Sequence, residues 1–192
     1  MHLLIEGPIG VGKSTLLLRE LRPFSSCTAG FGVMRLLGEE GETAAFCLKP
    51  AGEISSPAEP YVPGAGIFLE RTHQGWRRRP EVFSTLGVSL LRPVPGTKFI
   101  LLDEIGGFEL HNTAFMEALE EALHGDIPCV GVLKSPGNQA CVKQKLHLGQ
   151  EQEELYERFR ARILQDTRIT LLPMNSREDP EILRALRKFF SP

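Results

Sequence analysis

Eight consecutive residues, Gly7-Pro8-Ile9-Gly10-Val11-Gly12-Lys13-Ser14, satisfy the phosphate-binding pattern G-x-x-x-x-G-K-[ST], and no other stretch constrains the fold of this chain so narrowly. The pattern works only between a strand and a helix. Leu3-Leu4-Ile5 just before it suits a buried strand, and Thr15-Leu16-Leu17-Leu18 just after it suits a helix that runs to about Leu21 and stops before Pro23. The glycine-rich turn lets successive main-chain N–H groups and the helix N-terminus point at phosphate oxygens. Lys13 adds a charge near the β- and γ-phosphates, and the Ser14 hydroxyl is suited to ligate Mg²⁺. Gly7 through Thr15 is therefore the candidate nucleotide-binding segment, with Lys13 also a candidate catalytic residue and Ser14 a candidate metal ligand.

A nucleotide site of this kind needs a second apolar strand ending in a carboxylate, and Phe99-Ile100-Leu101-Leu102-Asp103-Glu104 supplies one. A parallel strand buried on both faces reads as an unbroken apolar run, and its carboxyl end is where an open α/β sheet binds ligand. Asp103 is then the candidate partner of Ser14 on the metal. Glu104 is the candidate general base, because a carboxylate beside the metal ligand can orient and deprotonate a water, which hydrolysis needs and nucleotide binding alone does not.

The rest of the chain sets bounds. With 192 residues, 42% of them hydrophobic, the sequence predicts one domain over residues 1–192 with a sizeable core. A formal charge of -2 gives no general attraction to nucleic acid or to a membrane surface. The N-terminus enters the first strand without the basic and apolar regions of a leader, and no apolar run reaches membrane-spanning length, so a cytoplasmic protein is expected. Cys27, Cys47, Cys129 and Cys141 are irregularly spaced and read as free thiols, and the five histidines show no zinc-ligand spacing.

Periodicity predicts an α/β alternation. Ala29–Leu37 and Thr43–Leu48, separated by Gly38-Glu39-Glu40-Gly41-Glu42, read as an antiparallel hairpin. Pro50–Gly66 reads as a loop, followed by a short strand over Gly66–Leu69 and a helix over about Glu81–Leu90. After the Asp103 strand come a helix carrying Phe115, Leu119, Ala122 and Leu123 with Asn112 or Thr113 as its cap, and a strand over Cys129–Leu133. A helix marked by Leu155, Phe159 and Ile163, a strand over Ile169–Leu172 and a helix capped by Asp179-Pro180 complete the chain. The fold predicted is α/β, a mostly parallel sheet flanked by helices with an early antiparallel hairpin.

The run Asp103-Glu104-Ile105-Gly106-Gly107-Phe108-Glu109-Leu110 strongly resembles the cancer-related nucleoside-triphosphatase family, whose acidic strand exit reads Asp-Glu-Ile-Gly, two residues, then Glu. The similarity extends to Phe115 in the following helix and back to Gly30-Phe31, and covers most of the chain outside Pro50–Pro80. The resemblance implies a RecA-like P-loop fold and slow Mg²⁺-dependent hydrolysis of several nucleoside triphosphates, ATP, GTP, CTP and UTP, to diphosphate and phosphate. It also implies Glu104 as the base that activates water. Gly107-Phe108 departs from the basic-then-Met pair of the family. The family's late Asn-Arg-acidic motif near the base appears as Asn175-Ser176-Arg177-Glu178, with a serine inserted, which makes Asn175 the candidate base contact.

Weaker signals keep other readings open. Arg77-Arg78-Arg79, or Lys143 and Lys145, could form the mobile cationic lid of a nucleoside or nucleotide kinase, or be solvated surface. Trp76 could stack on a base or pack, and Arg35 could face phosphate or solvent. Glu109 reads as structural, capping the helix that follows. A guanine-reading N-K-x-D element is missing, since Leu133-Lys134-Ser135-Pro136 lacks both Asn and Asp. A nucleotide-binding regulator without catalysis is the third class.

Overall fold

In the computed structural model, which describes residues 1–191, the apolar runs form a nine-stranded sheet. Its strands are β1 (His2–Glu6), β2 (Thr28–Leu37), β3 (Thr43–Pro50), β4 (Ala58–Pro60), β5 (Ile67–Thr72), β6 (Gly75–Arg78), β7 (Phe99–Ile105), β8 (Cys129–Leu133) and β9 (Ile169–Pro173). Eight of them lie in the order β6-β5-β3-β2-β7-β8-β1-β9, and β4 pairs with β2 off that path. The half of the sheet from β2 to β9 is parallel, and β3, β5 and β6 continue it antiparallel. The predicted hairpin is therefore the start of a longer antiparallel extension.

The helices are α1 (Lys13–Leu21), α2 (Val88–Leu91), α3 (Thr113–His124), α4 (Pro136–Leu146), α5 (Gln150–Gln165) and α6 (Pro180–Phe190). Strand alternation decides what each covers. On β1, Leu3 and Ile5 join Leu16 and Leu17 of α1 and Ile182 and Leu186 of α6 in one apolar cluster. Leu4, between them, joins Phe115 and Leu119 of α3 and Phe159 and Ile163 of α5 in the cluster on the other face. The two clusters are the two faces of one parallel sheet, as expected for strands buried on both sides.

Local structure adds detail to these expectations. Arg77 and Arg78 lie on an edge strand, β6. The helix expected over Glu81–Leu90 is present, with a π-helical turn at Phe83–Gly87 inside it that leads into the short α2. The Pro50–Gly66 loop contains a 3₁₀ turn at Ala51–Glu53 and the small strand β4. The segment with Lys143 and Lys145 is α4, whose Ser135 hydroxyl accepts from Asn138 N as its cap. One end of α4 meets the phosphate loop, where Asn138 Nδ2 donates to the Gly7 carbonyl at 3.1 Å. Its other end meets the edge hairpin, where Lys145 Nζ lies 4.6 Å from the centre of the Trp76 ring.

Candidate functional site

The phosphate loop leaves β1 at Glu6 and enters α1 at Lys13. Gly12, the residue before the helix, has φ 100°, a left-handed conformation that the pattern's glycine adopts without a Cβ penalty. Gly7 is required for a different reason, because a Cβ there would run into the carbonyl oxygen of Met174. Lys13 is buried, and its ammonium donates to the carbonyls of Gly7 and Pro8 at 2.8 Å each, so the loop closes around its own lysine. Burial pulls the Lys13 pKa below the ordinary lysine range, with the Lys134 charge in the same direction, while Glu104 and Asp103 oppose it. Pro8, Ile9, Gly10 and Thr15 are exposed along the loop and the first turn of α1.

The carboxyl end of β7 reaches this loop from across the sheet. Ser14 Oγ donates to Asp103 Oδ1 at 2.9 Å, joining residues 89 positions apart. The other carboxylate oxygen, Oδ2, accepts the main-chain N–H of Val33 on β2 at 3.0 Å. Asp103 is buried, and desolvation, with the Glu104 charge adding to it, pushes its pKa up to about 7 against those two hydrogen bonds. A buried carboxylate and a hydroxyl at contact distance are hard oxygen donors, a set that suits Mg²⁺, which keeps several waters and takes only one or two protein carboxylates.

Glu104 is half-buried and adopts φ 58°, unusual for a residue with a side chain. Its setting includes a residue that motif reading passes over. Lys134, at the end of β8, donates its ammonium to the Glu104 carbonyl and lies 3.8 Å from the Glu104 carboxylate. The following turn is held as firmly. Glu109 accepts the N–H groups of Gly106 and Gly107 at 2.6 Å each, and Gln152 of α5 donates to the Gly107 carbonyl at 2.8 Å. Glu109 thus caps the turn before it, not α3, whose cap is Asn112 accepting from Phe115 N at 3.0 Å.

A cleft of roughly 540 Å³ opens beside the loop, walled by Glu6, Pro8, Ile9, Pro136, Asn138 and Asn175 among others. Asn175 is therefore on the loop side of β9. Arg177 is exposed and lies against the loop, its Cγ 3.7 Å from where a Cβ on Gly12 would be. The remaining basic candidates are engaged elsewhere. Arg77 and Arg79 both pair with Glu70, Lys143 pairs with Glu153, and Arg35 is exposed on β2. Trp76 packs on Phe46, ring centres 5.9 Å apart, beneath Lys145.

With this geometry in view, the family model described as NTPase matches residues 77–167, a span that contains Asp103, Glu104, Glu109, Lys134 and Gln152. The match covers 91 of the 192 residues, just under half of the chain. A curated relative, nucleoside-triphosphatase THEP1 of Methanosarcina acetivorans, is 25% identical over 137 residues, covering 69% of this chain and 75% of that protein. Two solved structures share the fold. THEP1 from the hyperthermophile Aquifex aeolicus superposes with a TM-score of 0.65 at 16% identity over the whole of both chains. A human cancer-related nucleoside triphosphatase gives 0.57 at 20% identity over 99% of each. The chain shares the P-loop α/β fold of these structures, with the loop on β1 and the acidic pair on β7 separated by β8.

Proposed function

We propose that this chain is a Mg²⁺-dependent nucleoside-triphosphate phosphohydrolase that releases phosphate from NTP and tolerates several bases. The observation that carries the reading is the 2.9 Å contact between Ser14 and Asp103, with Glu104 next in the chain and its charge raising the Asp103 pKa. The names of the relatives, both nucleoside-triphosphatases, support the same activity.

In this reading the N–H groups of Gly10 to Ser14 bind the β- and γ-phosphate oxygens, and Lys13 turns from its loop carbonyls toward the γ-phosphate. Ser14 and Asp103 would hold the magnesium, which when bound would neutralise phosphate charge. Glu104 accepts a proton from water as the water oxygen bonds to the γ-phosphorus and the bond to the β-γ bridging oxygen breaks. Asn175 and the cleft beside the loop receive the base. The prolines and Ile9 in that wall offer apolar contact more than base-specific hydrogen bonds, which fits broad base tolerance.

The test is phosphate release from ATP, GTP, CTP and UTP with Mg²⁺ and no acceptor, repeated with chelator. Glu104→Gln is expected to keep nucleotide affinity and lose about ten-fold or more in turnover. Nucleotide binding without phosphate release would rule out the hydrolase, and wild-type turnover in the variant would remove Glu104 from catalysis.

A further inference from the structure

The Asp103-Glu104 pair sits on an irregularity of the sheet. β7 and β8 pair Leu101 with Val130 and Leu102 with Gly131, and pairing resumes at Ile105 with Leu133. Two residues of β7, Asp103 and Glu104, thus stand opposite one of β8, Val132. In a regular strand these neighbours would point to opposite faces of the sheet. The bulge and the left-handed Glu104 backbone break that alternation: Asp103 bonds Ser14 of the phosphate loop, while the Glu104 carboxylate lies by Lys134 and its charge reaches Lys13. A left-handed backbone is disfavoured for a residue with a Cβ and persists only where its surroundings hold it.

Lys134 is the group that holds it. Its ammonium bonds the Glu104 carbonyl, fixing the peptide plane that the bulge turns over, and sits 3.8 Å from the Glu104 carboxylate. Lys134 is itself anchored on both sides of its Cα. Its N–H donates to the Ile105 carbonyl at 2.9 Å, and its carbonyl accepts from the Tyr156 hydroxyl at 2.7 Å. Its side chain is 16% exposed, so the ammonium has little freedom to leave. We propose that Lys134 is a positioning residue for hydrolysis, keeping the bulged Glu104 peptide in the conformation that turns the carboxylate toward the attacking water. The inference rests on the hydrolase reading of Glu104.

The experiment compares Lys134→Met, Lys134→Arg, Glu104→Gln and the Lys134→Met/Glu104→Gln double variant in the full chain, measuring kcat, KM, nucleotide affinity and melting temperature. Lys134→Met is expected to lose about ten-fold or more in kcat, with KM and nucleotide affinity changed less than about three-fold. Lys134→Arg, which retains a donor, is expected to recover part of kcat. The double variant is expected to be no slower than Glu104→Gln, because both changes disable one function. If Lys134→Met melts much lower, the comparison passes to Lys134→Arg against wild type and Glu104→Gln, and wild-type kcat in Lys134→Met at a temperature where it is folded would still overturn the proposal. A raised KM with unchanged kcat would make Lys134 a phosphate ligand and overturn the proposal, as would wild-type kinetics. Wild-type turnover in Glu104→Gln would instead overturn the hydrolase reading beneath it.

Discussion

Gly7 has the Met174 carbonyl oxygen where a side chain would be, so Gly7→Ala must push the loop away from β9. It is expected to abolish nucleotide binding, read by titration with a fluorescent nucleotide, while the sheet stays folded by circular dichroism. That the Gly7–Ser14 loop and Asp103 would meet was legible because each motif has a fixed place at the end of its strand. The bulge that turns Glu104 was not legible. In a run buried on both faces the apolar pattern carries no period, so a slip of one residue leaves no trace in Phe99–Leu102. Lys134 was missed because a lone lysine after an apolar strand reads as a polar exit. The signal that could have found it is topological: whatever follows a strand lying between the two motif strands borders their site.

At the scale of elements, caps and stripes were the reliable guides. α6 begins as Asp179-Pro180 predicts, with the Asp179 carboxylate accepting from Glu181 N at 3.1 Å and Ile182 N at 3.5 Å. Asp179→Ala is expected to lower stability by about 1 kcal/mol in urea unfolding, the usual cost of a lost N-cap, with the unfolding slope unchanged. α3, α5 and α6 were legible because each buries an apolar stripe. α4 was not, because two of its three buried residues are the amides Asn138 and Gln139, which leave no such stripe. β6 was hidden by its arginines. An edge strand needs charge on its exposed side, and the two of these arginines on β6 and just beyond it that pair with Glu70 serve that need.

The whole molecule carries a dependence on pH at the opposite end of the sheet from the site. His2 is buried and its Nδ1 accepts the Cys129 N–H at 3.0 Å, which a doubly protonated ring could not do. Burial depresses its pKa below 6.5, with the N-terminal ammonium and Arg168 adding to the effect. The unfolded chain therefore binds this proton more readily, so stability is full above pH 6.5 and falls as pH drops below it. Thermal melts from pH 8 to 5 are expected to show that loss, and His2→Gln to flatten the slope. Strand order was the other property of the whole that local pattern could not supply, since periodicity says what is a strand and not which strand lies beside it. One consequence of that order concerns α4, which touches the phosphate loop through Asn138 and the far hairpin through Lys145 on Trp76. It spans from the phosphate loop at the carboxyl end of β1 to the free edge of the antiparallel extension. The arginine-rich hairpin and the phosphate loop, far apart in the sheet, are thus tied to opposite ends of one helix.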